Sequence, residues 1–219
     1  MTNGLYIVLE GLDCSGKSTL IKALAEELAD IKPLTTAHPG STPLGKHLRK
    51  LTKTPEEFDT EIELDTLSEQ LLLLVDNANF VNSLLIPTLN SGRTVLADRC
   101  NFISGAAYGL AGGLDCKIIE QMYRMITTPK ANRVYIMQLP WELAEQRSQL
   151  RGGGKDRFDH GTAEFRQRVA ANYDNFKTNC WLEALASYVV DSENIIYLDA
   201  TLPTHALAKL VEQDIRSLL

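Results

Sequence analysis

Residues 11–18 have the spacing of a phosphate-binding loop. They read GLDCSGKS, which fits the pattern GxxxxGK[ST], and they lie between a strand-like apolar run and a helix-like amphipathic run. Glycines let backbone N–H groups in such a loop turn toward a phosphate, and the start of the following helix adds positive potential. The loop is therefore predicted to bind a nucleoside triphosphate.

The pattern also predicts roles for single residues. Lys17 is expected to reach the β- and γ-phosphates, and the Ser18 hydroxyl is expected to bind Mg²⁺. Cys14 is expected to be a spacer whose side chain points away from the nucleotide. The predicted nucleotide-binding residues are Gly11, Asp13, Cys14, Ser15, Gly16, Lys17, Ser18, Thr19 and, from outside the loop, Arg147.

A second charged pair, Asp98 and Arg99, follows the apolar run 94–97. Ligands in parallel sheets bind at the carboxyl ends of the strands. Asp98 is therefore predicted to hold the hydration shell of Mg²⁺, and the planar fork of Arg99 is predicted to bind a phosphate. From these two residues alone, an ion pair at a strand end is an equally good interpretation.

The elements that must position these residues alternate between strands and helices. Apolar runs predict buried parallel strands at 5–9, 34–37, 94–97, 133–137 and 195–198, the second being the weakest. Amphipathic stretches predict helices at 17–29, 62–90, 115–127, 140–150, 162–186 and 203–218. We expect an α/β protein of the P-loop NTPase class, with a five-stranded parallel sheet between two helical layers. Residues 1–219 are expected to form a single domain, because no repeat or linker divides them.

The composition excludes several classes of protein. Of the 219 residues, 44% are hydrophobic and 23% are charged, which is typical of an ordinary globular protein. A net charge of −6 argues against a general nucleic-acid binder. The sequence shows neither a signal peptide nor a run of about 18 apolar residues, so no membrane partner and a cytoplasmic location are expected. The four cysteines lack metal-binding or disulfide spacing and are expected to be reduced.

Four segments resemble the thymidylate kinase family in the family's order. EGLD at 10–13 resembles the start of EGxDGxGKST, and HPGSTPLG at 38–45 resembles EPGGTxxG. DRCNFISGAAY at 98–108 resembles the DRY/F-x-x-S-x-x-AY element, and DRFD at 156–159 resembles the DRxE of a lid. The resemblance extends from residue 5 to about residue 176 and implies an ATP-dependent kinase acting on a deoxynucleoside monophosphate.

The resemblance implies specific contacts with this acceptor. Asp13 would accept a hydrogen bond from the 3′-hydroxyl of the sugar, and Arg99 would bind the acceptor phosphate in line with the γ-phosphate of ATP. Arg49 would also reach that phosphate. Ser104 and Tyr108 would lie under the sugar, although helical residues of these types more often serve packing.

The resemblance further implies that the peptide bond between His38 and Pro39 is cis and shapes the acceptor pocket, which an X-Pro bond permits. Residues 147–160 would form a mobile lid around a glycine hinge at 152–154. Its cations Arg151 and Arg157 would stabilise the charge of the transferring phosphoryl group when the lid closes. Arg147 would either join them or stack on the adenine. A solvated charge cluster is the alternative.

The sequence departs from the family pattern at the base-binding positions. Counting back from IPTL at 86–89 places Leu73 where the family has an aromatic residue on the base and Asn77 where it has an arginine. Gly109 replaces a glutamine that often follows the tyrosine. Leucine can pack on a base and asparagine offers a donor and an acceptor, so base contacts by both remain expected, with an altered preference.

The predicted reaction is therefore phosphorylation of a deoxynucleoside monophosphate by ATP with Mg²⁺, and dTMP is the first choice. dUMP, a 5-substituted pyrimidine and broad base acceptance remain alternatives, and a P-loop ATPase switch is a further one. The sequence contains no NKxD segment, which a guanine-binding switch would need. The resemblance implies a homodimer, and the apolar residues 71–75 with Phe80 and Leu84 would supply its interface or, alternatively, the core of the chain itself.

Overall fold

The computed structural model describes residues 4–54, 57–58, 63–150 and 162–219. One sheet holds five strands in the order β2-β3-β1-β4-β5, and every neighbouring pair is parallel. The strands are β1 Tyr6–Gly11, β2 Leu34–Ala37, β3 Val95–Asp98, β4 Arg133–Gln138 and β5 Ile195–Asp199. The predicted α/β fold with a five-stranded parallel sheet is confirmed, and each predicted strand lies within two residues of an observed one.

Ten α-helices occur in the described residues. They are α1 Lys17–Glu27, α2 Pro43–Lys53, α3 Thr66–Phe80, α4 Ile86–Asn90, α5 Asn101–Ala111, α6 Cys116–Tyr123, α7 Trp141–Leu150, α8 Ala163–Asp174, α9 Cys180–Ala186 and α10 Thr204–Ser217. A wide π-helical turn, Val81–Leu85, joins α3 to α4, and a 3₁₀ turn, Ser192–Asn194, precedes β5.

The two faces of the sheet carry separate hydrophobic layers because side chains alternate along each strand. In β1, Tyr6 and Val8 point into the layer that contains α5, α6, α8 and α9. Ile7 and Leu9 point into the opposite layer, which contains α1 and α10. Burial on both sides explains why this strand reads as a continuous apolar run.

The strand order places the ends of β1 and β3 at the centre of the molecule. The chain leaves β1 for β2 and β3 on one side and later crosses to β4 and β5 on the other. The direction in which strands are added to the sheet thus reverses beside β1, and such a point opens a crevice at the carboxyl ends of the strands. The phosphate-binding loop leaves β1 at this crevice, and Asp98 ends β3 beside it, paired in register with Leu9.

The helix predictions were incomplete at four points. Helices α2 and α5 were not predicted, although Thr42 caps α2 by accepting from the N–H of Gly45 at 2.9 Å and Pro43 opens it, which is a recognisable start signal. The expected helix 162–186 is two helices, because the chain leaves helical geometry after Asp174 and Asn179 caps a new one. The expected helix 62–90 contains the wide turn.

By length and composition, the helical run Thr66–Asn90 could cross a membrane, with a mean hydropathy of 1.3. One such helix is weak evidence, since core helices pass the same test. Four polar side chains of α3 are buried within the protein: Glu69, Gln70, Asp76 and Asn77. Its apolar residues Leu67, Leu71 and Val75 are exposed. The helix therefore turns polar groups inward and leaves an apolar stripe outside.

Candidate active site

A cavity of about 260 Å³ opens at the carboxyl ends of β1 and β3. It is lined by the loop after β1, the loop after β2, helices α2, α3 and α5, and the end of β3. The lining residues are Asp13, Cys14, Gly16, Lys17, Ser18, Thr19, Ala37, His38, Pro39, Arg49, Lys53, Glu69, Leu73, Asp98, Arg99, Asn101, Ser104 and Tyr108. Most of the predicted nucleotide and acceptor residues thus share one cavity.

The backbone of the phosphate-binding loop requires glycine at two positions. Gly11 has a φ of 130°, and a Cβ atom there would lie 2.6 Å from the carbonyl oxygen of Met137 on the neighbouring strand. Gly16 has a φ of 98° and immediately precedes α1. Both conformations are ones that L side chains rarely adopt. The loop can therefore turn directly from β1 into α1 and aim the start of that helix at the cavity.

Lys17 lies inside this turn and is buried. Its Nζ donates to the carbonyl oxygens of Gly11 at 3.1 Å and Leu12 at 2.7 Å. Burial lowers the pKa of Lys17 to about 8, and the charge of Arg99 adds to this effect, while the carboxylates of Asp13 and Asp98 oppose it. A cation held in this way is placed to contact phosphate oxygens in the same turn.

Ser18 and Asp98 meet where α1 begins and β3 ends. The Ser18 hydroxyl donates to Oδ2 of Asp98 at 2.6 Å. Among the described residues no group of three or more His, Cys, Asp or Glu could hold a metal by itself. Mg²⁺ does not need one, because it uses one or two protein oxygens together with water and substrate phosphates. A hydroxyl and a carboxylate in contact beside the phosphate-binding loop fit that requirement.

Arg99 is the centre of an ion-pair cluster. Its Nη2 donates to Oδ1 of Asp13 at 2.6 Å, and the Tyr108 hydroxyl donates to Oδ2 of the same carboxylate at 3.1 Å. Burial favours the neutral form of Asp13, but Arg99 and Lys17 hold the pKa of that carboxyl well below its usual range. Asp13 is thus an anion at neutral pH, and half of its side chain faces solvent.

Behind Arg99 lies a second carboxylate that the sequence analysis did not include among the site residues. Glu10 is fully buried on β1, and its Oε2 accepts from the Tyr173 hydroxyl at 2.9 Å. Tyr173 in turn accepts from Nη1 of Arg99 at 2.7 Å, and the backbone N–H of Cys100 donates to Oε1 of Glu10 at 2.7 Å. Burial raises the pKa of Glu10, and Arg99 with these two hydrogen bonds opposes the rise. Tyr173 therefore connects α8 to the guanidinium.

The backbone of Arg99 is strained as well. Its φ is 73°, in the left-handed region that residues other than glycine rarely adopt. Such a conformation costs on the order of 1–3 kcal/mol and persists only where the surroundings enforce it. The N–H of Arg99 donates to the carbonyl oxygen of Leu9 at 2.8 Å, and its side chain is bound at both ends of the guanidinium. This backbone conformation turns the side chain of Arg99 across the cavity, toward Asp13 and Tyr173.

The loop after β2 forms the opposite wall. The bond between His38 and Pro39 is cis, as the resemblance implies. Nη1 of Arg49 donates to the carbonyl oxygen of Pro39 at 2.8 Å, which holds the guanidinium at the cavity. Beneath this loop, Asp76 accepts from Nδ2 of Asn101 at 3.0 Å and lies 3.6 Å from Nδ1 of the buried His38. The loop is thus anchored on α3 and α5.

Leu73 and Ser104 line the cavity, but Asn77 does not. The Ser104 hydroxyl donates to the carbonyl oxygen of Cys100 at 2.8 Å, so a hydrogen bond of the helix already uses its proton. Asn77 is buried and lines a smaller cavity on the far side of Leu73. The predicted contact between Asn77 and the base stays a prediction.

On the nucleotide side, Arg147 bridges two loops. Its Nη1 donates to the carbonyl oxygen of Cys14 at 3.4 Å, and its Nη2 donates to that of Ala200, after β5, at 3.3 Å. The guanidinium therefore covers the outside of the phosphate-binding loop. The other predicted lid cations, Arg151 and Arg157, and most of the segment 147–160 lie outside the described residues.

The sequence analysis missed three further residues of the cavity wall. Lys53 follows Arg49 by four residues on α2, so a helical count of basic residues would have found it. Asn101 directly follows the DRC segment. Glu69 is buried one turn before Leu73 on α3 and carries no recognisable sequence signal. The cavity therefore has an acidic group on its α3 wall as well as cations on its α2 wall.

A parallel sheet in the order 2-3-1-4-5, a glycine-bounded loop around a buried lysine, and a cavity with arginines facing that loop define a P-loop kinase of the nucleoside monophosphate kinase class. Comparisons with known proteins narrow this class. The family model described as thymidylate kinase matches residues 9–211. The chain belongs to the thymidylate kinase family.

Individual relatives agree with this assignment. The thymidylate kinase of Thermosynechococcus vestitus is 34% identical over 184 residues, which cover 78% of this chain and 74% of that protein. The thymidylate kinase of Exiguobacterium sibiricum is 33% identical over 198 residues, 88% of this chain and 89% of that protein. The probable thymidylate kinase of Pyrococcus horikoshii is 34% identical, over 78% of this chain and 81% of that protein.

The link from Tyr173 to Arg99 can be tested by removing one oxygen. In Tyr173→Phe, Arg99 and the buried Glu10 each lose a hydrogen-bond partner, and we expect a loss of about 1–3 kcal/mol of stability. We also expect kcat to fall more than tenfold, because a freed guanidinium is less well oriented. Urea denaturation and steady-state kinetics measure the two effects.

Tyr188→Phe is the matched control, since the Tyr188 hydroxyl donates to Glu120 at 3.2 Å, far from the cavity. It should leave kcat unchanged. A Tyr173→Phe enzyme with normal kcat and KM would show that Arg99 does not depend on this hydroxyl.

Proposed function

We propose that this chain catalyses transfer of the γ-phosphoryl group of ATP to dTMP, giving dTDP and ADP for DNA precursor synthesis. The observation that carries the proposal is the cluster of Asp13, Arg99 and Tyr108, which faces Lys17 across one cavity. The whole chain, 1–219, would act as one kinase domain with a lid at about 147–160.

The donor half of the cavity fits the triphosphate of ATP. Lys17 supplies a cation inside the loop, and the first backbone N–H groups of α1 point into the same space. Ser18 and Asp98 would hold Mg²⁺, which neutralises charge on the β- and γ-phosphates when it is bound. Arg147 lies outside the loop, between Cys14 and Ala200, so we favour its role as a partner of the adenine.

The acceptor half fits a deoxynucleoside monophosphate. Arg99 and Arg49 face each other across the cavity, so both guanidinium groups can bind the acceptor phosphate. An oxygen of that phosphate attacks the γ-phosphorus, the bond from the γ-phosphorus to the bridging oxygen breaks, and ADP leaves with the electron pair. The protein supplies position and charge for this step, and Arg151 and Arg157 would add charge from the lid.

The ionised Asp13 makes the site selective for the sugar of the acceptor nucleotide. Its carboxylate remains an acceptor at neutral pH, which suits a free 3′-hydroxyl. Tyr108 donates to this carboxylate from the adjacent helix, and its ring fills the space beside the sugar position. A ribonucleotide would place its 2′-hydroxyl against this ring, so we propose that the acceptor is a deoxynucleotide.

The first experiment is a coupled ADP-release assay with ATP, Mg²⁺ and dTMP, dUMP, dCMP, dAMP or dGMP in turn. We expect strong stimulation by dTMP and almost no release without an acceptor. Preference for another base would assign the altered specificity to Leu73 and the residues behind it. If no monophosphate stimulates release above the rate with ATP alone, the chain is an ATPase or a switch and the proposal is wrong.

The pKa of Lys17 predicts the alkaline limit of activity. Burial lowers this pKa to about 8, so the free enzyme loses the charge of Lys17 at a lower pH than an exposed lysine would. We expect kcat/KM for ATP to fall as the pH rises above about 8, because kcat/KM reports the ionisation of the free enzyme. Bound phosphates favour the ammonium form, so kcat at saturating ATP should hold to a higher pH.

Lys17→Arg provides the control, because a guanidinium keeps its charge throughout this range. The kcat/KM of Lys17→Arg for ATP, whatever its absolute value, should not fall as the pH rises above about 8. A wild-type kcat/KM for ATP that stays flat to about pH 10, the range where an ordinary lysine loses its proton, would contradict the prediction.

We also propose that the chain is a cytoplasmic homodimer and that the apolar stripe of α3 is its interface. Leu67, Leu71 and Val75 follow each other at helical spacing with exposures of 40%, 45% and 49%, and a second copy would cover them. Light scattering should give a dimeric mass for the wild type and a monomeric mass for Leu71→Glu. Leu210→Glu, at a 50% exposed site on α10, should stay dimeric. A monomeric wild type would overturn the proposal.

A further inference from the structure

A second, smaller cavity lies behind the wall of the acceptor site. It measures about 10 Å³, close to the space that one water molecule occupies. Its walls are parts of α3, α5 and α6, and the lining residues are Gln70, Leu73, Leu74, Asn77, Asn101, Phe102, Met122 and Tyr123. Leu73 and Asn101 line both cavities. These two side chains therefore separate the inner cavity from the acceptor site.

Gln70 presents an unused donor in this cavity. Its side chain is only 4% exposed, and its Nε2 has no hydrogen-bond partner in the part of the chain that the structure describes. Two neighbouring polar side chains already make hydrogen bonds. Asn101 donates to the carbonyl oxygen of Leu73 and to Asp76, both at 3.0 Å, and the Tyr123 hydroxyl donates to the carbonyl oxygen of Phe102. A buried amide N–H without an acceptor is costly, so this one calls for a ligand atom.

Two glycines on α5 make the room that Gln70 occupies. Gly105 and Gly109 lie one turn apart within a regular helix, so their backbone does not demand glycine. A Cβ atom at Gly105 would lie 3.0 Å from Oε1 of Gln70, and one at Gly109 would lie 3.4 Å from its Cδ. The amide of Gln70 thus fills the space in front of both positions.

Position 109 is where the resembling sequences often carry a glutamine. In this chain Gly109 has no side chain, and the amide of Gln70 lies against it from the facing helix.

We propose that one carbonyl oxygen of the acceptor base enters the inner cavity, whose volume suits a single oxygen atom, and that Gln70 determines base specificity by donating to it from Nε2. The inference rests on the proposed function. Leu73 is the side chain between the base and this donor, and leucine is smaller than an aromatic ring. A base that extends past Leu73 brings its carbonyl oxygen to Nε2 of Gln70, a donor that otherwise lacks an acceptor.

This geometry discriminates between two kinds of pyrimidine. Thymine and uracil carry a carbonyl oxygen at C4, which accepts a hydrogen bond from Nε2. Cytosine carries an amino group there, which faces the Nε2 donor and gains an acceptor only if the amide turns over and moves Oε1 away from Gly105. A site that hydrogen-bonds a substrate group rejects an analogue lacking it much more strongly than an apolar pocket does. The chain should therefore prefer dTMP and dUMP to dCMP.

The test is steady-state kinetics with dTMP, dUMP and dCMP on the wild type and on Gln70→Met. Methionine keeps the shape of glutamine and removes the amide. We expect the ratio of kcat/KM for dTMP to that for dCMP to fall about tenfold or more, mainly through KM for dTMP. Gln121→Met, at an exposed site on α6, is the matched control and should leave the ratio unchanged.

A rescue experiment separates recognition from packing. Gln70→Ala should lose the same discrimination, and the double variant Gln70→Ala/Gly109→Gln should recover most of it, because it supplies an amide to the same space from α5. If the amide only fills space, the double variant should recover thermal stability but not the ratio of kcat/KM for dTMP to that for dCMP. This pair also carries the test if Gln70→Met does not fold, as judged by its thermal melt.

Each outcome decides one question. If the wild type is stimulated by dTMP but Gln70→Met keeps the dTMP to dCMP ratio, the role of Gln70 is wrong and the proposed function stands. If the wild type prefers dCMP, both the role of Gln70 and the choice of dTMP are wrong, and the chain is a kinase of another monophosphate. If no monophosphate stimulates the wild type, the proposed function itself fails.

Discussion

The constraint on which the site depends is that Arg99 must be held as a cation between two carboxylates. Asp13 binds one end of its guanidinium, and Tyr173, itself hydrogen-bonded to the buried Glu10, binds the other. Removing the fully buried Glu10 would leave an uncompensated charge and cost about 3–5 kcal/mol, whereas solvent screens the half-exposed Asp13 and its loss would cost less.

That requirement explains several features of the fold at once. β1 must end beside β3 so that Glu10 and Arg99 approach each other, and the register pairs Leu9 with Asp98. The strained backbone of Arg99 is tolerated because hydrogen bonds fix both its main chain and its side chain. Helix α8 must return to the sheet to deliver Tyr173. One ion cluster thus joins the loop after β1, the end of β3 and helix α8.

The sequence predicted the sheet better than the helices, for a physical reason. Strands buried on both faces read as unbroken apolar runs, and all five could be placed. Helix α5 has glycines at 105 and 109 and is buried on most of its surface, so it shows no amphipathic period. Its place in the core is decided by contacts with α3, α6 and α8, which a local pattern does not contain. The loop residues Gly11, Lys17 and Ser18 could be predicted because their spacing alone defines the turn.

The role predicted for Asn77 depends on a count along the sequence. The count from Pro87 back to Asn77 crosses the wide turn Val81–Leu85, where the bonding is i to i+5. The direction in which each side chain points therefore drifts from that of a regular α-helix. Glu69 and Gln70 were not recognised either, because buried polar residues on a helix carry no motif. Their positions follow from tertiary packing alone.

The close fit between Gln70 and the two glycines of α5 also limits how this site could change in evolution. With Gln70 in place, a side chain at 109 would press on Ile119, whose Cδ1 would lie 3.1 Å from its Cβ, and on the amide itself. A lineage moving the amide from one helix to the other would therefore lose it first and regain it second. The intermediate would carry an open cavity and weak discrimination between bases.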